Sequence, residues 1–342
     1  MAPTVRLFSL STAAFALSAA MAGCGGGATS VPAGNDGLRP AARSRPASRL
    51  PGQASSELIY VANHSAFGSG SGTPSITVYP ASANGDATPV ATLSGPATRE
   101  NQIQFVAVDQ LGTLWISNVA QGEANGYVTG FVAGHQSGNV APQYLISGLS
   151  SPEGVAVGPS DALAVGTIDS VNVYSNRHGR QDLKRSIAGS NTQILNTYEV
   201  FSAHHNLYLA EQDAVYVFPF KADGNVAPAQ LISGTATMLQ DVLGVASDSA
   251  GAIDATNLNA DDIVEFAKGA NGDAVPTAVV TGNAFDQPWG IFIDGNDTVY
   301  VANEGNNSIA IFPAGTLATG IPSATISGAD TGLDNPIGVF VR

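Results

Sequence analysis

The chain has 342 residues, of which 39 are Gly and only 12% are charged, about half the usual share. Three Lys and eight Glu leave few of the residues that favour surface helices, so a large helical bundle is excluded, and 44% hydrophobic residues exclude a wholly disordered chain. The formal net charge of −14 argues against nucleic acid as a partner.

Residues 1–23 read as an export signal. Arg6 is the only charged side chain near the start, and the 15 residues from Leu7 to Met21 carry no charge. That run is shorter than the ~20 residues a membrane-spanning helix needs. It ends in Met21-Ala22-Gly23-Cys24, which resembles the lipobox of bacterial lipoproteins, although Leu is more usual where Met21 stands. The resemblance implies cleavage before Cys24, lipid on its thiol and anchoring to the membrane through acyl chains. Gly25 rather than Asp follows the Cys, and by analogy with didermal sorting this points to the outer membrane. Cys24 is the only cysteine, so an intramolecular disulfide is impossible.

Residues 24–56 are Gly, Ala, Pro, Ser and Arg with almost no large apolar side chain. They read as a flexible tether with a root-mean-square span of about 30 Å. Arg39, Arg43, Arg45 and Arg49 make it basic, either as scattered solubilising charge or against anionic head groups. From residue 51 on, eight Lys plus Arg face 26 Asp plus Glu, a net of −18.

Residues 57–342 contain six copies of one pattern. An apolar-Ser-Gly landmark falls at Leu93-Ser94-Gly95, Ile146-Ser147-Gly148, Ile187-Ala188-Gly189, Ile232-Ser233-Gly234, Val280-Thr281-Gly282 and Ile326-Ser327-Gly328. An aromatic landmark falls at Tyr79, Phe131, Tyr174, Phe218, Phe266 and Phe312. Each unit holds four short runs rich in β-branched and aromatic residues with turn chemistry between them, which predicts a four-stranded propeller blade. The region starts on a second strand, Ile59 to Asn63, and finishes on a first strand, Pro336 to Val341. Together these ends complete one blade and close the ring, so the predicted fold class is an all-β, six-bladed propeller.

Pro288-Trp289-Gly290-Ile291-Phe292-Ile293-Asp294, followed by Val299-Tyr300-Val301-Ala302-Asn303, resembles an NHL repeat, and the Tyr-Val-Ala-Asn segments are similar to the related YVTN-type propellers. The resemblance implies the fold; such propellers serve as scaffolds, binding modules and several unrelated enzymes. The copy around Tyr198-Glu199-Val200-Phe201 departs most, lacking Pro-x-Gly.

Starts of first strands and ends of second strands share one face around the channel. That face is predicted to carry Glu100, Glu153, Glu199, Asp241, Asp286, Trp289 and Asp334, together with Asn63, Asn118, Glu211, Asn257 and Asn303. Oxygen-rich side chains of this kind suit a hard cation such as Ca²⁺, or they cap strand ends and keep the mouth wet. Propellers of the gluconolactonase type hold a divalent ion with Glu, Asn and Asp, but their local motifs are not matched here. Arg177, His178, Arg180, Lys184 and Arg185 make one basic cluster on a hairpin, read more plainly as a solvated rim than as an anion site. His204-His205 reads as a turn. No catalytic or metal spacing is recognisable. The expected function is therefore a lipid-anchored binding or scaffold module presenting the acidic face to a protein, peptide or glycan. The alternative is a divalent-metal-dependent hydrolase or lactonase with its ion in the funnel.

Overall fold

The computed structural model describes residues 57–64, 73–119, 126–177 and 180–342. Residues 1–56, which hold the expected export signal, Cys24 and the expected tether, lie outside them. Twenty-four strands form six sheets of four antiparallel strands. Blade 1 orders Pro336–Val341, Leu58–Asn63, Ser75–Pro80 and Ala91–Ser94 from the inside out, with Val61 facing Val339 in the ladder. Blades 2 to 6 follow in chain order, with inner strands Ile103–Val108, Val155–Val157, Val200–Ala203, Val242–Ser247 and Pro288–Ile293. Each inner strand packs against the next, and the sixth packs against the first, so the ring is closed. Among the described residues helix is confined to four 3-10 turns of three residues, and none is long and apolar enough to cross a membrane.

The aromatic landmark is the wedge between blades. Tyr79, Phe131, Phe218, Phe266 and Phe312, each at or next to the end of a third strand, are fully buried, and Tyr174 nearly so. Burying such a side chain is worth up to about 3 kcal/mol. Trp115 is also fully buried, stacked on Tyr144 at 5.6 Å and packed with Val155 and Leu163 of the next blade.

The Ser-Gly landmark joins neighbouring blades at the rim. Just past it, Ala97 N donates to Asn139 Oδ1 at 2.7 Å, Asn191 N to Asn225 Oδ1 at 2.6 Å, Ala236 N to Asp273 Oδ1 at 2.6 Å and Asp330 N to Asp86 Oδ1 at 2.7 Å. Every acceptor belongs to the third-to-fourth-strand turn of the following blade. At Gly95 the φ is +114° and a Cβ would stand 2.7 Å from the Asn139 side chain, so glycine is required by both backbone and contact.

Channel glycines answer a different need. Gly154, Gly244, Gly290 and Gly338 hold one register on four inner strands, where a Cβ would meet the backbone of the neighbouring inner strand. In blades 2 and 4 that register carries Phe105 and Glu199 instead. The room left by four glycines is therefore shared by one ring and one carboxyl group.

Candidate functional site

At the strand-start face, the amides finish the blades rather than open a funnel. Asn63, Asn118, Asn257 and Asn303 are all buried. Their Oδ1 atoms accept from the main-chain N–H of Asp334, Asn101, Gln240 and Asp286 at 2.9–3.3 Å, each just before the inner strand of the same blade. Their Nδ2 groups donate to oxygens such as Thr77 Oγ1, Ile116 O, Met238 O and Ala284 O. In blade 4 Glu211 takes the same place, accepting from Leu195 N and Thr197 Oγ1.

The acids around them are spread out. Glu100 accepts from Thr129 Oγ1 at 2.8 Å, and its other oxygen is sealed from solvent with no partner. Glu153 offers its main-chain oxygen to Ser117 Oγ. Asp241 accepts from Asn259 Nδ2, while Asp286 and Asp334 reach the loop network through their main-chain N–H groups. Trp289 packs against the core cluster that contains Phe105, with its Nε1 buried and unpartnered. Among the described residues, no group of three or more His, Cys, Asp and Glu side chains comes together as a metal would require.

Glu199 is the exception to this dispersal. Its Oε2 accepts from Val245 N at 2.9 Å and from Ile291 N at 3.4 Å, so one carboxyl from blade 4 ties the inner strands of blades 5 and 6. It also lines a cavity of about 300 Å³ that runs up the centre of the ring. Buried Val106, Val155 and Glu199 form the closed end, and exposed His204, Ser249 and Gly295 form the mouth. The shaft thus opens on the face of the first-to-second-strand turns, opposite to the face singled out in the sequence. Its walls are Phe201, Phe292 and Phe340, with centroids 5.8 Å apart for the first pair and 4.6 Å for the second.

The mouth is polar but already ordered. Asp294 Oδ1 accepts from Asn296 N and Thr298 N, and Asp248 Oδ1 from Gly251 N and Ala252 N. Asp297 accepts from Ser249 N and Ser249 Oγ, hydrogen bonds that hold its pKa below the ordinary carboxylate value. His204 and His205 form the expected turn in the left-handed region, and His204 Nε2 meets Asp248 O at 2.6 Å.

One of the six copies carries a family signature strong enough to stand alone. Residues 285–312 match the NHL repeat. The rest of this six-bladed ring is recognised by shape. No curated protein matches the chain in sequence. It superimposes on a Bacteroides caccae protein of unknown function with a TM-score of 0.60 at 10% identity, covering 84% of this chain and 99% of that one. The periplasmic gluconolactonase of Pseudomonas aeruginosa gives 0.55 at 16% identity, covering 83% and 85%. Virginiamycin B lyase from Staphylococcus aureus gives 0.50 at 11%, covering 82% and 91%. At these identities the likeness is one of fold.

Burial sets the charge state of several acids. Desolvation pushes the pKa of Glu100 and of Glu153 up to about 8. It does the same to Asp254, helped by nearby Glu265 and Asp248, and it raises Glu199 well above the ordinary value. A raised acid holds its proton in the folded state where the unfolded chain has already lost it. The resulting stabilisation is complete below about pH 4 and is lost as pH climbs towards 8. The melting temperature is therefore expected to fall between pH 5 and pH 8, and to fall less in Asp254→Asn, whose side chain stays neutral throughout. Calorimetry across that range checks this; a midpoint that rises with pH would contradict it.

Proposed function

We propose that the protein is a non-enzymatic binding module whose central shaft receives a phenol-sized group presented by a protein or peptide partner. One observation carries the reading. A cavity of about 300 Å³ with three Phe walls ends on a single carboxyl group, Glu199, held by two main-chain N–H donors. Small, mostly apolar cavities with one or two fixed polar groups are the usual form of a ligand site. Burial raises the pKa of the Glu199 carboxyl and so favours its protonated form, which can donate to an acceptor at the tip of the entering group. A glycan suits such apolar walls less well than an aromatic side chain.

The lactonase reading, with Ca²⁺ in the funnel, requires several oxygens converging on one point, and the acids of the strand-start face are instead dispersed or tied into loops. Melting the protein with Ca²⁺, Mg²⁺, Mn²⁺ and Zn²⁺ separates the two. A metal at a hundredfold excess over its dissociation constant stabilises by about 2.7 kcal/mol. The binding-module reading expects no metal to move the midpoint. A Ca²⁺ shift that Glu153→Gln, Glu199→Gln or Asp241→Asn abolishes would replace it with the hydrolase.

We further infer that the chain is exported, lipidated on Cys24 and held at the outer membrane by its acyl chains. The tether then gives the propeller a reach of about 30 Å in search of partners. Labelled palmitate should enter the wild type and not Cys24→Ser, and equal labelling of both would refute the anchor.

A further inference from the structure

A cleft on the outer rim, away from the shaft, stands out because of its charge. It has a volume of about 840 Å³ and lies between blades 3 and 4, lined among others by Ser160, Ser175, Lys184, Arg185, Phe220 and Lys221. From residue 51 on the chain has eight Lys plus Arg and only three Lys, so this one cleft gathers three of the eight and two of the three. Asp182 is its single acidic lining residue.

The three cations are presented in different ways. Arg185 is fixed, with its guanidinium 5.5 Å from the Phe220 ring centroid and Nη2 donating to Phe220 O at 3.1 Å. Its Nε is buried with no hydrogen-bond partner. Lys184 meets Asp182 at 3.6 Å, but both side chains are more than half exposed, so the pair is weak and exchangeable. Lys221 is exposed, with no ion pair among the described residues. A structural role accounts for the stacking of Arg185 and leaves the two lysines unexplained. Asp223, whose Oδ1 accepts from Ser186 N at 3.0 Å, is a second acid beside the cluster and is already engaged by the main chain, while acids beyond about 8 Å are screened at physiological salt.

We propose that this cleft binds a small phosphate ester. The Arg185 fork and the two ammonium groups hold the phosphate, and the Ser160 and Ser175 hydroxyls meet its polar body. A fixed guanidinium with mobile lysines beside it is the chemistry of phosphate recognition. This site is independent of the shaft, and its test does not depend on what the shaft binds.

Isothermal titration of the full-length protein with glucose 6-phosphate, glucose, inorganic phosphate and dihexanoyl phosphatidylglycerol below its micelle concentration tests the assignment. Glucose 6-phosphate should bind and glucose should not. Lys184→Ala combined with Lys221→Ala should weaken binding at least about tenfold without moving the melting temperature, since both side chains are exposed. Arg185→Lys, which keeps the charge and the fold but loses the fork, should weaken it as well. Unchanged affinity in the double variant would overturn the proposal. So would binding of inorganic phosphate alone, or binding of the phosphatidylglycerol alone, which would make the cleft a lipid contact.

Discussion

Removing residues 336–342 is expected to abolish cooperative unfolding altogether. The segment supplies the inner strand of blade 1, and it pairs with Leu58–Asn63 while packing against the inner strands of blades 2 and 6. Ile337, Val339 and Val341 are all buried, and at about 2 kcal/mol each their loss alone amounts to some 6 kcal/mol. Ladder hydrogen bonds and the newly exposed strand edge add to this. The sum approaches the whole stability of an ordinary domain, about 5–15 kcal/mol. A circular-dichroism melt should show a broad, non-cooperative change, with ready proteolysis. A sharp transition within a few degrees of the wild type would rule out closure by the chain ends. The ends also lie side by side, with Leu58 N donating to Arg342 O at 2.7 Å and Arg342 N to Leu58 O at 3.0 Å. Joining residue 342 of the intact propeller to residue 57 and opening the ring between blades 5 and 6, near Gly282 and Asn283, should therefore retain a cooperative melt.

Glu199→Ala is expected to cost about 3 kcal/mol, or roughly 6 °C or more in melting temperature for a ring of this size. Truncation strips Val245 N and Ile291 N of a carboxyl acceptor at the centre of the ring and enlarges the shaft. Glu199→Gln keeps an oxygen for both donors and is neutral at every pH, so it should cost less than about 1 kcal/mol at pH 7. Above neutrality it should equal or exceed the wild type, because the wild type must then either ionise a buried carboxyl or hold its proton against rising pH. Denaturant melts of the three proteins at pH 6 and pH 8.5 decide this. An alanine variant as stable as the glutamine variant would mean that the bridge between blades 4, 5 and 6 carries no weight.

The blade count was legible because each landmark answers a demand that recurs once per blade. Gly95 avoids Asn139, Tyr79 and Phe312 wedge neighbouring sheets, and the two chain ends lack complementary strands. Chemistry was less legible, since it depends on contacts between blades. The strand-end position that put Asn118 and Asn303 on one face is the same whether their amides meet a ligand or cap a loop. Only the distances to Asn101 N and Asp286 N distinguish these roles. Glu199 was visible as a departure from Pro-x-Gly, yet its partners Val245 and Ile291 lie 46 and 92 residues away. Phe201, Phe292 and Phe340 could have been found by aligning the inner strands alone, where they share one register two residues past the glycine slot. Arg185 and Phe220 stand 35 residues apart on different blades, and no local pattern joins them.

The central shaft as a binding site is tested most directly with p-cresol, the side-chain analogue of tyrosine. Isothermal titration into the full-length protein should give saturable binding at one site, weakened by Glu199→Gln. It should be lost in Ser202→Trp, where an indole grows into the shaft from a partly exposed lining position. No binding to the wild type, or equal binding to Ser202→Trp, would contradict a ligand site in the centre of the ring.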